Sequence, residues 1–198
     1  MAQKENLYEK YRRELIEINA KIDNCVKIMA VLPQDIITQQ EGFRLALQLA
    51  YIVREKFKVD LENNKIQFGD NIARFKQNMS EPVTFYKRTH SEIKKHFDLV
   101  ESLVTKYEVV DKQFDKNKQL MVNKINEANE FGFNTFYRES ELDRVSAKWK
   151  NFDEGIHACF SDLQQDYNKF NREFKNDLVE YSQIENEVIA TQKTQQRY

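Results

Sequence analysis

Residues 142–188 read LDRVSAKWKNFDEGIHACFSDLQQDYNKFNREFKNDLVEYSQIENEV. At helical spacing one apolar stripe runs through them: Leu142, Val145, Trp149, Phe152, Ile156, Cys159, Leu163, Tyr167, Phe170, Phe174, Leu178, Tyr181, Ile184 and Val188. Every step is three or four residues, which puts all of them on one side of a single helix. The positions between are mostly Asp, Glu, Lys, Arg, Asn and Gln. A helix of roughly 55 residues is about 80 Å long at ~1.5 Å per residue. Its stripe needs partners of equal length, so the stretch predicts an elongated helical protein that forms oligomers.

Two further stripes supply such partners. The first passes through Tyr8, Tyr11, Leu15, Ile18, Ile22, Cys25, Met29, Leu32 and Ile36, and then Phe43, Ala46, Ala50 and Val53. Pro33 lies inside it, and the stripe resumes in phase, which predicts a kink and not a break. Periodicity blurs across residues 54–64, where the first turn is expected. The second stripe runs from Phe68 through Phe75, Tyr86, His90, Phe97, Tyr107 and Phe114 to Ile125. Ser80-Glu81-Pro82 interrupts it. That triplet suits a helix start, with Ser80 as cap, or a second kink, which the unbroken phase favours. Glu130-Phe131-Gly132-Phe133-Asn134-Thr135 is the clearest break, and Thr135 or Ser140 is placed to cap the third helix.

The expectation is therefore an all-α fold of three long, kinked antiparallel helices, about residues 5–53, 61–129 and 137–196, in one domain over 1–198. Composition agrees: 198 residues are 32% charged and 40% hydrophobic, with 4 Gly and 2 Pro, which favours long helices with a real core. A net charge of −1 and pI of 6.4 give no basic footprint for nucleic acid. Cys25 and Cys159 fall on the apolar stripes, as small buried hydrophobes do, and suit a reducing, cytoplasmic location.

Chemistry-bearing patterns are sparse. His90 and His96 are six residues apart on different faces, and His157 stands alone, so no metal site is expected. No glycine-rich phosphate loop or nucleophile with a base is present, and the chain is read as a non-enzyme without cofactors. Two groups of residues remain. The basic side chains Lys87, Arg88, Lys94 and Lys95, then Lys112, Lys116, Lys118 and Lys124, form either solvated ion-paired helix faces or a surface for anionic lipid. The aromatics Phe131, Phe133 and Phe136, with Tyr137, form either a cap on the bundle end or a wedge for a lipid interface, with Arg138 placed for a phosphate.

Trp149-Lys150-Asn151-Phe152-Asp153-Glu154-Gly155-Ile156 and Tyr167-Asn168-Lys169-Phe170-Asn171-Arg172-Glu173-Phe174-Lys175-Asn176 carry a likeness to a known family. So do Tyr107-Glu108 and Asp115-Lys116. Together with the three-helix layout, they resemble the BAR domain of sorting nexins. The resemblance implies a crescent-shaped coiled-coil homodimer, or a heterodimer with a related BAR protein. Its dimer and bundle seam would include Tyr107, Phe114, Trp149, Phe152, Ile156, Phe170, Phe174 and Tyr181. It also implies curvature sensing and remodelling on anionic, phosphoinositide-containing endosomal membranes, in cargo sorting and retrograde or recycling transport, with endosomal coat partners. The phosphoinositide-binding PX domain that accompanies such BAR domains is not read in this chain. The other reading is a coiled-coil adaptor or tether that binds protein partners without touching lipid.

Overall fold

The computed structural model describes residues 2–195, and their side chains from residue 6 onward. It contains three helices: α1 (Ala2–Phe68), α2 (Ile72–Glu130) and α3 (Phe136–Gln195). The all-α, three-helix expectation holds. Gln196, the expected end of the third helix, lies outside the described residues.

One boundary differs from expectation. The first helix does not stop near Val53 but continues through residues 54–64 to Phe68, and the second begins at Ile72 instead of residue 61. The real turn is short. Asn71 caps α2, its Oδ1 accepting from Arg74 N at 3.2 Å. Gly69 is required by proximity, since a Cβ there would sit 2.7 Å from the Lys65 carbonyl oxygen. Both prolines lie inside helices, as their phase implied. Each removes a donor, leaving the carbonyls of Met29 and Asn78 without their helical partner. Ser80 is a mid-helix residue and not a cap.

The contacts divide the chain into two units, Met1–Thr38 with Val100–Phe160, and Gln39–Leu99 with Ser161–Tyr198. The first is a three-helix bundle around the α2–α3 turn. Its core takes Ile22 and Met29 from α1, Tyr107, Phe114 and Met121 from α2, and Val145 and Trp149 from α3. Phe114 and Trp149 stack with centroids 4.0 Å apart, and the indole donates to Asp111 Oδ1 at 2.5 Å. The α2–α3 turn closes on Gly132, whose φ of 79° few side chains tolerate. Asn134 Oδ1 accepts from Phe136 N, while Thr135 bridges Asn129 and Glu139. Ser140 lies within α3 and plays no part in the cap.

The second unit surrounds the α1–α2 turn. Phe57, Leu61, Phe75, Met79, Tyr86, Phe174, Ile184 and Val188 form its core. Phe57 stacks on Tyr86 at 4.6 Å, and Phe75 on Tyr181 at 6.2 Å.

Candidate functional site

The seam residues named from sequence are intrachain core. Tyr107, Phe114, Trp149, Ile156, Phe170 and Phe174 are buried by the chain's own helices, with Phe152 and Tyr181 half-buried beside them. They pack within one chain.

A different surface is open. In the second unit α1 buries Phe43, Leu47, Ala50, Phe57 and Leu61 on one face. On the roughly opposite face Leu45, Leu49, Ile52, Val59 and Ile66 are 60%, 55%, 66%, 58% and 73% exposed. With Lys56 and Asn63 between them, these positions step by four and three, the seven-residue repeat of a helix seam. A helix apolar on two sides is one that expects covering on both. Beside this row α1 and α2 frame a groove of about 660 Å³, lined by Val53, Lys56, Phe57, Glu81, Pro82 and Phe85. Phe85 is itself 49% exposed.

Behind that face lies a buried ionic cluster that apolar periodicity does not reveal. Asp177 on α3 is 2% exposed, and its carboxylate accepts from Arg54 Nε at 2.7 Å, Arg54 Nη2 at 3.2 Å and the Tyr86 hydroxyl at 2.5 Å. Lys58 Nζ stands 3.4 Å from it, and Glu173 is 3.4 Å from the Arg54 guanidinium. Burial pushes the Asp177 carboxyl upward, but the hydrogen bonds from Arg54 and Tyr86 and the nearby cations outweigh it and hold it below the usual carboxylate range. Tyr51, half-buried beside Glu173, is pushed up to about 12 by desolvation and by that carboxylate. The cluster has the geometry of a structural lock, with every strong group satisfied.

The basic residues do not gather into one patch. Lys94 pairs with Asp98 at 2.7 Å and Lys95 with Glu92 at 2.8 Å, while Lys87 and Arg88 are exposed on the same unit. In the other unit Lys112 and Lys116 are exposed on one face of α2. Lys118 is two residues on, hence roughly 200° around the helix at 3.6 residues per turn. Lys124 lies between Glu127 and Glu14, at 2.8 and 2.9 Å, and these carboxylates raise its pKa. Arg138 pairs with Glu141 at 3.2 Å. Four of the nine predicted cations are thus neutralised locally.

The turn aromatics split. Phe133, partly buried, packs 5.4 Å from Tyr8 as a bundle cap does, while Phe131, 5.6 Å from Tyr11, stays 50% exposed. Phe136 and Tyr137 remain 74% and 69% exposed. His90 sits at its expected seam position, stacked 4.0 Å from Phe174 with Nε2 2.9 Å from Asn171 Oδ1. Among the described residues no three His, Cys, Asp or Glu side chains converge as metal ligands, and no helix is long and apolar enough to cross a membrane. Comparison of the chain with protein-family models, curated proteins and solved structures found no match.

Proposed function

We propose that this chain is a non-catalytic scaffold of BAR type, in which two copies pair through the second apolar face of α1 and the crescent so formed rests on anionic endosomal membranes during cargo sorting. One observation supports the pairing above the others: five aliphatic side chains, each more than half exposed, in a seven-residue repeat opposite a filled core. The favoured occupant is a second copy, because such a row is self-complementary about a two-fold axis. Charge adds to it, since Lys56 lines one groove with Asp60 and Glu81 and can meet the partner's carboxylates. Covering the exposed part of these five side chains contributes about 1 kcal/mol apiece, hence roughly 10 kcal/mol for a symmetric pair. Association costs about 4–15 kcal/mol, so Phe85 and the groove must join the interface for a stable dimer.

The membrane half of the proposal rests on the exposed Lys112 and Lys116, and on Lys87 and Arg88. The adaptor reading draws on a specific observation of its own, the ion pairing of Lys94, Lys95, Lys124 and Arg138, which leaves less charge for lipid. Light scattering at micromolar concentration is expected to give twice the 23.7 kDa chain mass. Co-sedimentation with phosphatidylserine vesicles is expected and should weaken with salt. A monomer overturns the pairing, and a dimer that ignores vesicles leaves the adaptor.

A further inference from the structure

At the α2–α3 turn the first two residues of α3, Phe136 and Tyr137, are the most exposed aromatic side chains among the large hydrophobics of the described chain, at 74% and 69%. They are held there. Asn134 caps the Phe136 amide, Thr135 is tied to Asn129 and Glu139, and Phe131 and Phe133 clamp the turn onto Tyr11 and Tyr8. The backbone that carries the pair is ordered before binding, so it adds little ordering cost. Beside the pair lies a pocket of about 200 Å³, lined by Tyr8, Tyr11, Phe133 and Tyr137 together with Arg12 and Arg138. The Arg12 side chain is 59% exposed, with Glu9 at 3.7 Å. Arg138 lies 5.4 Å from the centre of the Tyr137 ring and bonds Glu141. Lys10 and Arg13 are exposed on the same stretch of α1. Of the acids nearby, Glu139 is occupied by Thr135 and Asn129, and Glu141 by Arg138, while Glu130 is exposed.

We propose that Phe136 and Tyr137 are a wedge that enters the interfacial region of an anionic phospholipid bilayer, with the exposed Arg12 meeting headgroup phosphate at its base. This rests on the membrane half of the function proposed above. The occupant is a bilayer because both rings at the turn are mostly exposed, at 74% and 69%, and a lipid interface accepts such rings. Aromatic rings with one polar tip favour that depth, and the flanking cations match the sign of the headgroups.

The test uses fluorescence. The single native indole, Trp149, is 4% exposed and stacked on Phe114, so quenchers dissolved in lipid do not reach it. Phe136→Trp and Tyr137→Trp place a second indole on the wedge. With phosphatidylcholine–phosphatidylserine vesicles carrying dibrominated acyl chains, the added emission is expected to be quenched while that of the wild type is not. Phe136→Ala with Tyr137→Ala is expected to lower vesicle partition by roughly tenfold per ring, from the area removed. Circular dichroism should not change, because both rings are mostly exposed. Unquenched emission from protein bound to the vesicles overturns the wedge and leaves the membrane reading standing. Failure of the wild-type chain to co-sediment overturns both.

Discussion

Replacing Asp177 by alanine tests the account of the second unit most severely. The substitution removes the acceptor for two Arg54 nitrogens and for the Tyr86 hydroxyl, whose residue is 0% exposed. Breaking a buried ion pair costs about 3–5 kcal/mol. Here Glu173, at 3.4 Å, and the 18% exposure of the Arg54 side chain retain part of the guanidinium's stabilisation, which puts the charge contribution near 3 kcal/mol. The unmade Tyr86 hydrogen bond adds about 1–3 kcal/mol. The sum, about 4–6 kcal/mol, is a large share of the ~5–15 kcal/mol by which domains are stable. Asp177→Asn keeps the shape and one acceptor and should cost about 2 kcal/mol, and Tyr86→Phe about 1 kcal/mol. Urea unfolding followed by circular dichroism, at one fixed protein concentration, measures the order. The pH dependence comes from the lowered Asp177 pKa. A group depressed in the folded state contributes its full stability above the unfolded carboxylate value of about 3.9 and loses it as pH falls through the folded value. The gap between wild type and Asp177→Asn should therefore hold at neutral pH and close only in strong acid. An Asp177→Ala protein within about 1 kcal/mol of wild type would refute the reasoning.

Leu49→Glu with Ile52→Glu is expected to separate the two copies, since a two-fold interface meets each charge twice; sedimentation should show at least a hundredfold weaker association, from about 2.8 kcal/mol or more. Helicity should be unaffected, because both side chains are more than half exposed within one chain; a persistent dimer would move the interface elsewhere. Lys112→Glu with Lys116→Glu, which share one face of α2, should weaken vesicle binding by more than tenfold at about 1 kcal/mol per cation, and unchanged co-sedimentation would remove that face from the membrane site. Alanine at two glycines should act with opposite sign. Gly132→Ala forces a side chain into φ 79° and should destabilise by about 1 kcal/mol, whereas Gly155→Ala, with nothing within 4 Å in mid-helix, should stabilise by about as much. Equal shifts in melting temperature would contradict both.

The places where periodicity misled share one cause. Reading α3 by its apolar letters selects Leu178 for the core, yet the deeper residue is Asp177, and Leu178 is only partly buried. The same holds at Arg54, a charged residue on the buried side of α1, and there the stripe seemed to fade into a turn. A carboxylate is admitted to a core only when partners neutralise it, and those partners lie 123 and 91 positions away in sequence. No local window contains them. The row Leu45, Leu49, Ile52, Val59 and Ile66 was visible in the letters, but a helix with two apolar faces does not say which one its own chain will cover.

Spacing by itself determined three helices, their order, the passage of two of them through Pro33 and Pro82, and the break at Gly132. These features arise from period, from ring geometry and from the need for a positive φ, all of them local. Only the packing of α1, α2 and α3 against one another decided which seam residues are spent inside the chain. It also decided which lysines are already paired and which aromatics stay outside. Burial and ion pairing are properties of neighbours in space, and the residues that supply them are far apart along the chain.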